Sequence, residues 1–319
     1  MRSRLKLYLL SLIALAFIQV APATPAPHFN VAITFDDLPL QGALQKQSYI
    51  TAQDATDTLR RISQILQAHH IAGVWGFASG QVLTQYPAMQ AALDLWQQAG
   101  HHLGNHGFSH LDLAKVPAKT YIADMARNQR WLERINPHNT HDYYRYPFLA
   151  YGETATKYQQ VQRYLKSQGI KVAYVTMDFF DSEWTPAYYR CSQQQNKEAL
   201  DWLSHSYLQQ ARHGITIART LSQSLFGRDI DYVLLIHASP LQAQILDKLL
   251  TEYERAGARF IPLSQALHDP VYRIEPAIYR NRAYTLLNRI RLAEHRDNPP
   301  EVSRLYASLP EDQLNRLCR

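Results

Sequence analysis

A chain of 319 residues that is 46% hydrophobic and 19% charged can bury a full-sized core, which excludes a disordered protein and fits one large domain or a domain with an appendage. Its formal charge of +6 is unevenly placed: Arg2, Arg4 and Lys6 open the chain, and the remaining excess lies from Val271 onward. The body between them is neutral, which argues against the concentrated basic face that nucleic-acid binding needs.

The first predicted element lies outside the fold. The positive n-region is followed by an almost wholly apolar run, Leu5 to Val20, and by Ala21-Pro22-Ala23, small residues at the positions a signal peptidase reads. Residues 1–23 are expected to be a signal peptide cleaved after Ala23, giving an exported protein, periplasmic or secreted. The apolar run is shorter than the ~20 residues a bilayer core requires. No cysteine lies near it to carry a lipid, so no stable membrane anchor is expected after cleavage.

Strand-like runs then alternate with amphipathic ones. In chain order they are strand Val31 to Phe35, helix Ala55 to Ala68, strand Gly73 to Phe77, helix Ala88 to Ala99, strand His102 to Asn105 and helix Thr120 to Arg134. Strand Tyr143 to Arg145, helix Lys157 to Ser167, strand Val172 to Thr176, strand Tyr232 to Ile236, helix Leu241 to Arg255 and strand Arg259 to Pro262 follow. The alternation predicts an α/β fold, a parallel sheet with helices outside. Of the seven proposed strands, five end in an ionisable residue or pair. That distribution suits a distorted (β/α) barrel, whose chemistry projects from the C-terminal ends of many strands, better than an open sheet with one switch point.

Between the fifth and sixth strands, Pro186 to Asp231 reads as a helical insertion, with helices over Asn196 to Arg212 and Ile215 to Phe226. Beyond Pro270, a helix over Arg280 to Ala293, the Asn298-Pro299-Pro300 break and a short final helix predict an extension, residues 271–319, packed on a barrel domain of residues 24–270. Its Arg280, Arg282, Arg289 and Arg291 read as a solvated helix face. Cys191 and Cys318 either form one bridge pinning the C-terminus to the body or remain as two buried thiols. Neither has a Cys or His at metal-site spacing.

The chemistry is carried where the strands stop. A buried strand ending in Asp36-Asp37 places two like charges at its mouth, where a cation, a proton or an arginine must relieve the repulsion. His106 and His110 are four apart, so a helix beginning here would set both imidazoles on one face, within reach of one ion. His101 and His102 beside them are expected at the surface. Arg145-Tyr146-Pro147-Phe148, Asp178-Phe179-Phe180-Asp181 and Leu234-Leu235-Ile236-His237 complete the set.

Together, in this order and from about Val31 to about Leu267, these clusters resemble the nodulation-protein-B-like polysaccharide deacetylases, a carbohydrate esterase family. The shared pattern is Thr-Phe-Asp-Asp, a histidine pair at i and i+4, Arg-x-Pro-aromatic, Asp-x-x-Asp and Leu-x-x-His. The resemblance implies a metal triad of Asp37, His106 and His110, holding a divalent ion, Zn2+ or alternatively Co2+. It also implies that Asp36 is the catalytic base, Arg145 the arginine that holds it, and His237 the catalytic acid. Asp181 is the counterpart of the aspartate that orients that histidine, with Asp178 as the alternative. The Phe148 backbone N–H would serve the oxyanion.

The implied reaction is removal of N-acetyl, or O-acetyl, groups from an amino-sugar polymer or oligomer, with water activated beside the ion attacking the acetamide carbonyl. Leu234 would contribute to the substrate site, and Tyr151 and Trp184 would be stacking groups for sugar. Leu38, Gly107 and Ser182 depart from the family pattern, which usually has Gly, Ser or Thr, and Trp there. None of them is a proposed ligand, acid or base. Two other readings remain: a catalytically silent carbohydrate-binding barrel, for which Asp36 and His237 would be unnecessary, and a metal-dependent amidase acting on a non-sugar amide.

Overall fold

The computed structural model describes residues 28–45, 50–136, 142–279 and 284–319. The expected signal peptide, Arg280 and Arg282 lie outside the described residues. Seven strands, β1 (Phe29–Leu38), β2 (Trp75–Ala78), β3 (His102–Asn105), β4 (Tyr143–Tyr144), β5 (Lys171–Val172), β6 (Tyr232–His237) and β7 (Ala258–Phe260), form one parallel sheet. Its order is β5-β4-β3-β2-β1-β6, and β7 pairs with the opening residues of β1.

The helices are α1 (Ala52–Ala68), α2 (Gln81–Gln85), α3 (Gln90–Gln98), α4 (Ala118–Ile135), α5 (Ala155–Ser167), α6 (Trp184–Gln193), α7 (Lys197–Phe226) and α8 (Pro240–Arg255). After them come α9 (Leu263–Ala266), α10 (Leu286–Ala293), α11 (Pro300–Tyr306) and α12 (Glu311–Arg316). Local chemistry sets several starts: Thr51 and Asp54 form a capping box on α1, and Ser239 caps α8 with Pro240 in the first turn.

The period of two along a strand sorts β1 into two faces. Val31, Ile33 and Phe35 pack into the large core shared with the helices. Ala32 faces the other way, into an inner cluster with Trp75, Phe77, Tyr143, Ala173 and Val233. Thr34 and Asp36 share that inner face, one and two steps nearer the C-terminal mouth. The sheet curls until its ends meet, because Met177 N donates to Val233 O at 3.0 Å and Leu235 N to Met177 O at 3.1 Å.

Two elements differ from expectation. β5 stops at Val172 instead of Thr176, because the chain leaves β4 after the Ala173 N to Tyr144 O bond and crosses to β6, where Thr176 Oγ1 accepts Val233 N. The two helices expected in the insertion are one 30-residue helix, α7. Gly214 is not a break within it: a Cβ there would lie 2.7 Å from the Cβ of Phe179, so the glycine lets the helix backbone approach the 178–179 segment.

The C-terminal extension is part of the core. Leu286, Leu287 and Ile290 of α10, Val302 and Leu305 of α11 and Leu314 of α12 are buried with the barrel's outer layer. Arg289 is not on a solvated face but is only 1% exposed, with its guanidinium 4.0 Å from the centre of the Tyr151 ring and a bond to Pro276 O. Arg291 is buried as well. Aromatic faces here replace water around a cation that the sequence pattern assigns to solvent.

Cys191 of α6 and Cys318 are bridged across a separation of 127 residues. Reduction is expected to lower the unfolding free energy by up to about 5 kcal/mol on loop-entropy grounds. Denaturant titration with and without reductant reads this, and an unchanged midpoint would mean that packing and hydrogen bonds hold the extension without the bridge. Among the described residues, no helix is long and apolar enough to cross a membrane.

Candidate active site

The site begins with a buried charge pair at the mouth of the barrel. Asp36, 2% exposed, accepts from Arg145 Nη1 at 3.0 Å on Oδ1. Arg145 has no freedom left: Nε donates to Ala173 O at 2.7 Å, Nη2 to Thr34 Oγ1 at 3.0 Å, and the guanidinium lies 4.6 Å from the centre of the Phe77 ring. Burial pushes the Asp36 carboxyl up to about 6, against the downward pull of Arg145 and His237. A carboxylate with that value exchanges a proton near neutral pH.

Beside it, Asp37, His106 and His110 offer ligand atoms that all lie within 4.8 Å of one another. His106 Nδ1 is 2.9 Å from Arg145 O, and a carbonyl only accepts, so that nitrogen carries the proton and the Nε2 lone pair faces inward. Asp37 Oδ1 is 3.6 Å from His106 Nε2 and 3.3 Å from His110 Nε2, and it is buried without a hydrogen-bond partner among the described residues. Burial lowers both histidines, while the surrounding histidines, His110 and His237 foremost, hold Asp37 below the usual carboxylate range despite its burial. A bare carboxylate oxygen between two imidazole lone pairs is a donor set for a divalent ion.

The histidine pair is not helical. His106 to His110 is a loop between β3 and α4, with Gly107 and His110 at φ 72° and 52°. Convergence of the two rings therefore comes from loop turns rather than a helical repeat. Their centroids lie 4.7 Å apart.

Across the mouth, His237 ends β6. Its Nδ1 donates to Asp181 Oδ1 at 2.8 Å and its backbone N–H to Asp181 Oδ2 at 2.7 Å, so one carboxylate fixes both ring and backbone. Burial alone would lower this histidine, but Asp181, together with Asp37 and Asp36, raises it to about 10. Asp178 lines the same cavity and instead accepts the Phe180 N–H at 2.8 Å. The cavity, about 490 Å³, is walled by Asp36, Asp37, His106, His110, Asp178, His237, Gln41, Phe148, Phe180, Glu183, Tyr189 and Leu235 among others.

Residues 23–167 match the family model for polysaccharide deacetylase. Among solved structures, the chitin deacetylase of the fungal pathogen Colletotrichum lindemuthianum is 17% identical, with 82% of this chain and 94% of that chain covered and a TM-score of 0.53. The likeness to the polysaccharide deacetylase family is carried by residues 23–167, just under half of the chain. A CE4 family pseudoenzyme from Bacillus anthracis is 13% identical over 76% of this chain and 66% of that one, at a TM-score of 0.51. A mutant of the same protein with restored enzymatic activity is 14% identical, over 76% and 68%, at 0.52. Identities this low speak for the fold alone. No curated protein matches the sequence.

The geometry sorts the residues that the family resemblance picks out. Asp36, Asp37, His106, His110, Arg145, Asp181 and His237 meet at one barrel mouth, and Phe148 stands at its wall, 52% exposed with its ring 4.4 Å from that of His110. Tyr151 and Trp184 do not line the cavity. Tyr151 is buried between Tyr146 and Arg289, and Trp184 is fully buried against Tyr207, with Nε1 donating to Ser206 Oγ. Leu234 points into the outer core, and its neighbour Leu235 walls the cavity, since successive strand residues face opposite ways. His101 is buried too, its Nδ1 accepting Val74 N and its ring on Trp96.

Several working residues had no expected role. Thr34 Oγ1 donates to Leu234 O while receiving Arg145, which locks the arginine that holds Asp36. Asn105 Oδ1 accepts Gly107 N at 2.9 Å and Asn128 Nδ2 at 2.9 Å, supporting the loop between the two histidines. Thr34 alone carried a signal, as the first residue of the Thr-Phe-Asp-Asp pattern.

Proposed function

We propose that this chain is a metal-dependent hydrolase that removes N-acetyl groups from an amino-sugar polymer or oligomer outside the cytoplasm. The observation that carries this reading is the unpartnered Asp37 Oδ1, buried between the Nε2 atoms of His106 and His110 and next to the Asp36–Arg145 and His237–Asp181 pairs. A silent sugar-binding barrel would need neither pair.

Asp37, His106 and His110 would hold the ion, and zinc suits two imidazoles and one carboxylate. When bound, it supplies Lewis acidity toward the acetamide carbonyl and makes an adjacent water easier to deprotonate. Asp36 takes the proton of the attacking water at Oδ2, the oxygen that Arg145 leaves free. His237, charged and held at Nδ1 by Asp181, hands a proton from Nε2 to the departing amine, which is too basic to leave unprotonated. The Phe148 N–H serves the oxyanion, a contribution of about 3 to 4 kcal/mol for one well-placed donor. Phe148, Phe180 and Tyr189 supply the aromatic wall that Tyr151 and Trp184 do not.

Removing metal with a chelator is expected to abolish acetate release from acetylated chito-oligomers, and added zinc to restore it. Full activity in protein verified to be metal-free would sink the reading.

A further inference from the structure

Asp124 of α4 takes no part in the chemistry above, yet its carboxylate reaches the loop that carries two of the three proposed ligands. Both oxygens face Ser109 N–H, at 3.2 Å for Oδ1 and 3.0 Å for Oδ2. Oδ2 also lies 3.2 Å from the position a Cβ would take on Gly107, so the carboxylate packs along the loop backbone and fills the space that a side chain at 107 would occupy.

The next residues on the same helix face grip the same loop. Three and four positions on from Asp124, the Arg127 guanidinium lies 3.6 Å from the centre of the Phe108 ring, and Asn128 donates to Asn105 Oδ1, the acceptor of Gly107 N. Every residue between His106 and His110 is thereby held from α4, directly or through Asn105. The loop needs such support because no helical repeat sets the spacing of its ligands, and His110 itself sits at φ 52°, a conformation that side chains other than glycine adopt at a cost.

Within the reading of Asp37, His106 and His110 as a cation site, we infer that Asp124 is a positioning residue for that site. It acts through the Ser109 N–H to keep His110 Nε2 opposite Asp37. A carboxylate accepting a backbone N–H makes a hydrogen bond roughly twice as strong as a neutral one. Partners that orient metal ligands in this way typically account for about 10- to 100-fold in metal affinity.

The test is zinc affinity of the full-length chain, measured by competition with a chelating dye, with thermal unfolding of the metal-free protein alongside. Asp124→Ala is expected to weaken zinc binding by about 10- to 100-fold. Asp124→Leu, close to aspartate in shape but without an acceptor, should do the same, and Asp124→Asn, which keeps one acceptor oxygen, should lose less. A merely structural contact would lower the metal-free unfolding midpoint and leave the zinc affinity of the folded protein unchanged. Zinc affinity within two-fold of the unaltered chain in both the Ala and Leu variants overturns the role of Asp124 alone. Failure of the unaltered chain to bind zinc overturns the cation site and this inference together.

Discussion

Asp36→Asn is expected to lower turnover by about 100- to 10,000-fold, the range over which a positioned general base contributes. The variant keeps the side-chain shape and leaves an amide oxygen where Arg145 Nη1 now donates to Oδ1. Arg145 also retains Ala173 O and Thr34 Oγ1. Its charge is nevertheless buried without a counterion, so stability should fall, by up to about 5 kcal/mol. The three proposed ligands are untouched, and zinc should still bind. Mass spectrometry of an acetylated glycan panel, with zinc content measured on the same samples, separates these effects. Acetate loss at the unaltered rate in a zinc-loaded variant would remove Asp36 from the role of base. Loss of both zinc and turnover would make it part of the ion's surroundings instead.

What the sequence made legible was whatever repeats or ends. The short apolar run of β1 and abrupt stops at Asp36-Asp37, Arg145 and His237 mark the strands and the face where chemistry collects, because a barrel core admits few ionisable groups except at its mouth. Side-chain direction in irregular segments was not legible. Tyr151 and Trp184 lie close to the site along the chain, yet both face the core, and their burial against Arg289 and Tyr207 depends on other helices, for Tyr151 one far away in sequence. Four-residue spacing at His106 and His110 carries the right pairing for the wrong local reason, since Gly107 at φ 72° turns a loop where a helix would also satisfy the count. Gly214 misleads in the opposite sense. A glycine inside a helical pattern suggests a break, but the pressure on that position comes from Phe179 across the interface. Asn105 and Asp124 act on backbone or on other side chains, and such contacts leave no spacing signature.

The second large effect concerns the acid. Asp181 accepts from His237 at two points, Nδ1–H and the backbone N–H. In Asp181→Asn the amide oxygen can serve only one of them. If it keeps the backbone N–H, the amide NH2 faces the ring and donates to Nδ1, so neutral His237 carries its proton on Nε2. A neutral imidazole N–H is far too weak an acid to protonate a departing amine. The variant also loses the carboxylate that does most to offset burial and hold His237 at about 10, so its value falls, with only Asp37 and Asp36 left to oppose burial.

On the proposed mechanism, activity in the unaltered protein requires Asp36 deprotonated and His237 protonated. The rate therefore falls as pH drops through the Asp36 value, about 6, and falls again as pH rises through the His237 value, about 10. A bound divalent ion stabilises the deprotonated form of each group, so both limbs lie at or below those positions. For Asp181→Asn the alkaline limb should move down toward the acidic one, narrowing the bell, with the peak rate reduced by about 100- to 10,000-fold. A pH profile of kcat/KM on an acetylated chito-oligomer reads both effects. An alkaline limb unmoved in the variant would mean that Asp181 only braces the end of β6 and that the proton comes from another group.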